Sequence, residues 1–430
     1  METSVAASIW QKSKLLIKAL LIGVLVLLLL IPAYFVKDVI SEREGRQKEA
    51  FNEVSSKWAA RQNITGPVLV IPYVESMTSD KGQLSSVKKM ACVLPDKLNI
   101  EATVKPEERH RGIYQVMLYS SELKLNGVFN SIPFQQLKID PSQVAWNEVF
   151  VCMGLADSKG LKEEIKVSWN DSSVVLNPAQ VDIAGMKEGF TAPVTVSADN
   201  SIRFSSSIQF NGSEQLLFTP VGKETTVKLS SAWPDPSFTG GQLPDHRITN
   251  DGFTATWKSL AHTRNFPQYW KEGNYNPQTA SFGADLFIAV NGYQKTMRSV
   301  KYAILCILLT FAAFFIIETV NKKSVHPFQY ALIGLALILF YTLLLSFSEY
   351  TGFNTAYIIA SVATVGLIAW FVKGILQSSK LTSVLGVLLV LMYSYIFTIL
   401  QLQDYSLLLG SIGLFLTLAV IMHFSKKIQW

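Results

Sequence analysis

Residues 15–36 read LLIKALLIGVLVLLLLIPAYFV, with Lys18 the one charged side chain among them. A helix of that length is about 33 Å long at its usual rise, enough to cross a hydrocarbon core roughly 30 Å thick. Five more stretches pass the same test, at 302–320, 327–348, 353–372, 381–402 and 405–424, each bounded by short polar breaks. A lone strand would leave backbone polar groups bare in lipid, so all six are expected as helices. The first run also has the basic start of a signal peptide. Its apolar length and the absence of a small-x-small exit in Ile31-Pro32-Ala33-Tyr34-Phe35 make it an uncleaved anchor.

At 430 residues the chain is too long for one ordinary domain. Its composition, 49% hydrophobic and 16% charged, falls well short of the about 25% charge of a globular domain. The charges are also unevenly placed. Of 38 Lys and Arg, 29 lie at 37–301, and of 32 Asp and Glu, 28 lie at 38–285, leaving nine basic and four acidic residues for the rest. The polar middle is nearly neutral, so the basic balance reports membrane-flanking lysines and no nucleic-acid footprint.

Those flanking residues set a direction. Lys12, Lys14, Lys18, Lys322, Lys323, Lys373, Lys380, Lys426 and Lys427 all fall on one side of an alternating six-span arrangement, while the opposite short loops carry Glu349 and Asp404. Positive charge is retained in the cytoplasm, so both termini are expected there and the middle segment outside, in the periplasm of a Gram-negative cell. The expected organisation is a cytoplasmic N-terminus and first span at 1–36, an amphipathic juxtamembrane helix at 37–65, a β-rich periplasmic domain at 66–300 and a five-helix bundle at 301–430.

Phe51, Val54 and Trp58 recur at helical spacing among charged neighbours, which predicts an amphipathic helix ending near Asn63. From Gly66 onward, short runs rich in Val, Ile, Phe and Thr are broken by Gly, Pro, Asn and Asp, the punctuation of strands. Leu123, Leu125 and Phe129 share one phase. Phe204, Ile208 and Phe210 oppose Arg203, Ser207 and Gln209, and Phe253, Ala255 and Trp257 oppose Thr254, Thr256 and Lys258. Alternation of this kind predicts a large antiparallel β-sandwich or a pair of packed sheets. Residues 231–241, SAWPDPSFTGG, predict a rigid non-helical corner. Its Trp233, Pro234, Pro236, Phe238 and Gly240 are also the candidate partner-binding loop, because loops on rigid scaffolds carry binding.

Catalytic constellations are not evident. The five histidines, His110, His246, His262, His326 and His423, have no zinc-protease spacing, and neither a phosphate-cradling loop nor a nucleophile elbow occurs. Asp157, Glu163 and Glu164 near Gly160 read as solvated turn charges. Cys92, Cys152 and Cys306 make no metal site; Cys92 and Cys152 are open to a disulfide or to two buried thiols. Glu318, His326 and Glu349 lie at the ends of spans, where interface anchoring and helix capping are preferred to a proton or solute pathway. Small residues such as Ala356 and Ala360, or Gly410 and Gly413, suit a tightly packed bundle.

Three tracts carry a resemblance. One runs from Lys301-Tyr302-Ala303-Ile304-Leu305 through Phe311-Ala312-Ala313-Phe314-Phe315, Glu318-Thr319 and His326-Pro327 to Ser348-Glu349 and Thr351-Gly352-Phe353. A second is Arg111-Gly112-Ile113-Tyr114 with Ser121, Leu123, Leu125 and Gly127. The third is Trp233-Pro234, Pro236-Ser237-Phe238, Gly240, Leu243-Pro244, Arg247, Gly252-Phe253 and Trp257. In these the chain resembles the CreD family of bacterial inner-membrane proteins over nearly its whole length. The resemblance implies one large periplasmic domain and a role in envelope integrity and stress, and it supplies no catalytic residue or cofactor. The expectation is a non-enzymatic protein without cofactor or metal. Its partners would be the lipid bilayer and an envelope protein, lipid or cell-wall component; the alternative is a transporter or lipid-handling protein using the C-terminal bundle.

Overall fold

The apolar run at 15–36 lies inside a single helix, α1 (Glu2–Trp58), which continues through Pro32. The structure, a computed structural model, describes residues 2–78, 84–197, 200–271, 275–286, 292–321, 323–402, 408–413, 415, 419 and 422. It divides into two compact units, Met1–Glu49 with Val290–Trp430, and Ala50–Ala289.

In the first unit α1 buries Ile22, Val26, Leu29, Ala33, Val36 and Ile40, one stripe at helical spacing. Leu20, Leu27, Leu28, Ile31 and Phe35 are each more than half exposed, an apolar face suited to lipid. There follow α2 (Gly292–Lys301), α3 (Ala303–Val320), α4 (Pro327–Thr351), α5 (Phe353–Leu376) and α6 (Ser379–Gln401). Among the described residues α1, α3, α4, α5 and α6 are long and apolar enough to cross a membrane. The sixth expected span, 405–424, lies largely outside the described residues. At Gly334 an added Cβ would stand 2.2 Å from a Leu29 methyl, so a glycine there lets α1 and α4 approach closely.

Helix α2 was expected as part of the β-rich segment. Its charged residues mask a short helical period in which Tyr293, Thr296 and Val300 are buried, and the β-rich unit accordingly ends before 300. The juxtamembrane helix also ends earlier than Asn63, at Trp58. The Asp157 carboxylate accepts the Ala60 N–H at 2.9 Å, the Gln62 side chain is held by backbone groups of Asp157 and Asn211, and a strand starts at Gln62. Asp157 is therefore an anchor for the chain leaving α1, and more than a solvated turn charge.

In the second unit the described strands form sheets of nine and eight. The alternating runs face as their period requires: Leu123, Leu125, Phe129, Phe204, Ile208, Phe210, Phe253, Ala255 and Trp257 are all buried in one continuous core. Pairing is mainly antiparallel. Two parallel pairs depart from expectation, Gln62–Ile64 with Leu216–Phe218 and the strand Glu224–Ser231 with 97–104, because in each case the chain returns to its sheet after crossing to the other. Trp257 of the eight-stranded sheet stacks on Phe282 of the nine-stranded one at 5.6 Å, and within the eight-stranded sheet Phe129, Trp169 and Phe204 cluster on one another. The long hairpin of Lys97–Arg111 and Tyr114–Phe129 grips the end of α1, with Arg111 paired to Glu53 at 3.0 Å and the Arg109 guanidinium over the Trp58 ring at 4.5 Å.

Cys92 and Cys152 are free. They oppose Val70 and Val68 from strands on either side of the strand Gln62–Thr78, roughly 10 Å apart at two strand spacings, beyond the reach of a disulfide. Burial pushes both thiols up to about 12. A maleimide at pH 8 is expected to label neither in the folded protein and both after denaturation in SDS, read by mass; labelling before denaturation would contradict this packing.

Candidate functional site

In the β-rich unit the residues 233–249 pass from the edge of one sheet to the edge of the other. Strand Ser237–Gly240 borders the nine-stranded sheet and strand Asp245–Thr249 borders the eight-stranded one. The predicted corner is thus the end of a strand at Ser231, a loop at 232–236 and a short strand. Trp233 is half-buried, its backbone N–H donating to the Ser231 hydroxyl oxygen at 3.1 Å and its Nε1 to the Asp235 carbonyl at 2.8 Å. Pro234 is exposed and Pro236 half-buried. The Phe238 ring sits edge-on to Phe253 and Trp257, 5.8 Å from each, and 4.9 Å from His246. Gly240 has φ +103°, and a Cβ would meet the Ser281 carbonyl at 2.3 Å, so only glycine fits there.

The following turn is tied down twice. Trp257 donates Nε1 to the Gln242 carbonyl at 3.1 Å, and the Gln242 side chain donates to the Lys258 carbonyl at 2.6 Å. Next to these ties, both at Gln242, Leu243 is 79% exposed. His110, His246 and His262 are all exposed, and among the described residues no three His, Cys, Asp or Glu side chains gather as metal ligands do.

In the helical unit the three ionisable residues singled out from sequence have specific partners. Glu318 on α3 is 4% exposed. It pairs with Lys18 of α1 and accepts the Val325 N–H at 2.9 Å and the Tyr330 hydroxyl at 2.8 Å. Lys18 also donates to the Val325 carbonyl at 2.7 Å. This is a closed network at the end of the span, with Glu318 itself buried. His326 caps α4, its Nδ1 accepting the Phe328 N–H while Gln329 returns a bond to the His326 N–H, and Pro327 fills the first helical position, where no N–H is needed.

Glu349, near the C-terminal end of α4, accepts the Tyr293 hydroxyl at 2.9 Å and faces Arg43 of α1 at 4.0 Å. The two clamps, Lys18 with Glu318 and Arg43 with Glu349, stand 25 residues apart on α1, about 38 Å, and so bracket a hydrocarbon core of roughly 30 Å. Charge is placed at both ends of the helices. Between them Phe340 packs on Tyr341, Tyr357 and Tyr393, with the Tyr341 hydroxyl on the Cys306 sulfur at 3.6 Å and the Tyr357 hydroxyl on the Tyr393 carbonyl at 2.9 Å. Sequence reading passed over Lys18, Arg43 and Tyr293 as partners. The available signal was Lys18 itself, a charge inside an apolar run.

The profile of a family described as inner membrane protein CreD matches residues 14–430. The inner membrane protein CreD of Escherichia coli (strain K12) is 29% identical over 412 residues, covering 94% of this chain and 91% of that protein. Among solved structures, a proposed nutrient binding protein of Legionella pneumophila has a TM-score of 0.26 at 7% identity over 57% of this chain and 80% of its own. An M1 zinc metallopeptidase from Deinococcus radiodurans has 0.18 at 10% identity over 39% of each chain. Overlaps this slight assign no fold. With a profile match over nearly all of its length, apolar helices to cross a bilayer and a β-rich unit between them in sequence, the chain belongs to the CreD family of multi-pass inner-membrane proteins.

Proposed function

We propose that this protein supports the integrity and stress response of the bacterial envelope without catalysing a reaction, by presenting its β-rich domain to a partner outside the cytoplasm. The partner would be an envelope protein, lipid or cell-wall component. The observation that carries the reading is the pinned loop at 233–244 with Leu243 exposed on a sandwich filled by a continuous side-chain core. A filled interior directs recognition to the outer surface, and loops there are positioned by the scaffold. The direction of insertion rests on the bias of lysine, from Lys12, Lys14 and Lys18 to Lys373 and Lys380, which favours cytoplasmic termini. A phosphatase reporter inserted near residue 200 is expected to be active, as it folds only outside the cytoplasm; activity of a cytosolic reporter there instead would reverse the topology.

The contact is tested by placing a photoreactive amino acid at Leu243 in living cells. A discrete crosslinked species is expected, absent when the same group replaces Lys124 on the solvated face of the eight-stranded sheet. Equal crosslinking at both positions, or none at either, would refute the assigned surface.

A further inference from the structure

Along one side of the helical unit, α1 and α4 border a cavity of about 300 Å³. Its walls come from Phe35 and Val39 of α1 and from Thr342 and Leu345 of α4, and one end is formed by Arg43 and Glu349. Four-residue steps on α1, and steps of three and four on α4, keep these side chains on facing helix sides. From Phe35 to Arg43, or from Thr342 to Glu349, the groove is about 11 Å long. Phe35 and Val39 are 62% and 44% exposed, so it opens sideways where the surrounding helix surface is apolar.

The polarity is that of an amphiphile. The groove is lined by hydrocarbon for most of its length and ends in one cation and one anion 4.0 Å apart. The Tyr293 hydroxyl and the Arg43 guanidinium both face Oε1 of Glu349, and a carboxylate has a second oxygen able to accept. Arg43 has five N–H donors in a fixed fork, so the guanidinium can hold a phosphate while it faces the carboxylate. A headgroup that complements both charges has a phosphate for Arg43 and a short-tethered primary ammonium for Glu349. We infer that this groove binds a phosphatidylethanolamine molecule of the membrane, its acyl chain along Phe35, Val39 and Leu345, its phosphate on Arg43 and its ammonium on Glu349. An anionic headgroup would leave Glu349 opposed by like charge, and a trimethylated one has no N–H to donate. This assignment concerns the helical unit and does not depend on the partner proposed for the β-rich domain.

The test is native mass spectrometry of the full chain released from detergent, with phosphatidylethanolamine, phosphatidylglycerol or phosphatidylcholine of matched acyl chains added in turn. The expected result is one adduct formed at least tenfold more with phosphatidylethanolamine than with either other lipid. Glu349→Gln should lower that preference over phosphatidylglycerol, and Arg43→Gln should weaken retention of every phospholipid. Because Glu349→Gln touches a clamp, Val39→Trp is measured beside it; it fills the groove, leaves both charges and is expected to abolish the adduct at an unchanged melting temperature. Equal adducts with all three lipids, or an adduct that survives Val39→Trp in folded protein, would overturn the assignment.

Discussion

Glu318→Ala is expected to cost the folded bundle about 3–5 kcal/mol, the effect of removing one partner from a buried ion pair. The substitution strands the Lys18 ammonium, whose side chain is 21% exposed, and removes the acceptor of the Val325 N–H and of the Tyr330 hydroxyl. The visible outcome is a large drop in the melting temperature of detergent-solubilised protein, with α1 lost from its place beside α3 and α4. Glu318→Gln keeps one acceptor oxygen, for the Val325 N–H, sets its NH2 against the Tyr330 hydroxyl, and should fall between the two. Adding Lys18→Met to Glu318→Gln should then recover most of the loss, since a neutral pair leaves no uncompensated charge. If Glu318→Ala melted with the parent protein, the network would not be holding α1. A residue serving a proton or solute pathway would behave in the opposite way, with stability kept and flux lost.

Why that network escaped sequence reading is a matter of distance along the chain. Lys18 and Glu318 lie three hundred positions apart, and nothing in a local pattern states that α1 returns to the turn between α3 and α4. Local signals did state their own contents. The apolar lengths of α3, α4, α5 and α6 marked these helices to within a few residues, because thickness of hydrocarbon is a property of a single helix. Strand phases such as Phe253, Ala255 and Trp257 were equally legible, since a period of two needs no partner to be recognised. Two kinds of feature were hidden. One was α2, whose ten residues are too short and too charged for a span and break the polar segment without a clear stop. The other was everything that depends on which elements meet, including the two parallel strand pairs, the separation of Cys92 from Cys152, and the partners of Glu349. For the candidate loop, composition identified Trp233 to Gly240 as special, but the outward-facing residue proved to be Leu243, placed by the ties at Gln242 that only tertiary structure supplies.

Trp257→Ala is the second large expected effect, and it separates what the loop is built on from what it presents. Trp257 is 1% exposed, stacks on Phe282 of the other sheet, meets Phe238 edge-on and holds the Gln242 carbonyl. Truncating such a side chain removes buried surface and leaves a cavity, at a cost of about 3–5 kcal/mol, and it frees the turn that carries Leu243. Both thermal stability and Leu243 crosslinking should therefore fall together. Trp257→Phe keeps a ring between Phe238 and Phe282 but gives up the bond to Gln242, worth about 1 kcal/mol, so stability should drop modestly while crosslinking loosens. Leu243→Ser acts on an exposed side chain and should leave stability within about 0.5 kcal/mol, yet remove partner capture read from a photoreactive group at nearby Gly241, where an added Cβ meets nothing within 4 Å. That ordering follows from burial, and a destabilised Leu243→Ser with capture intact would mean that the loop serves the sandwich alone.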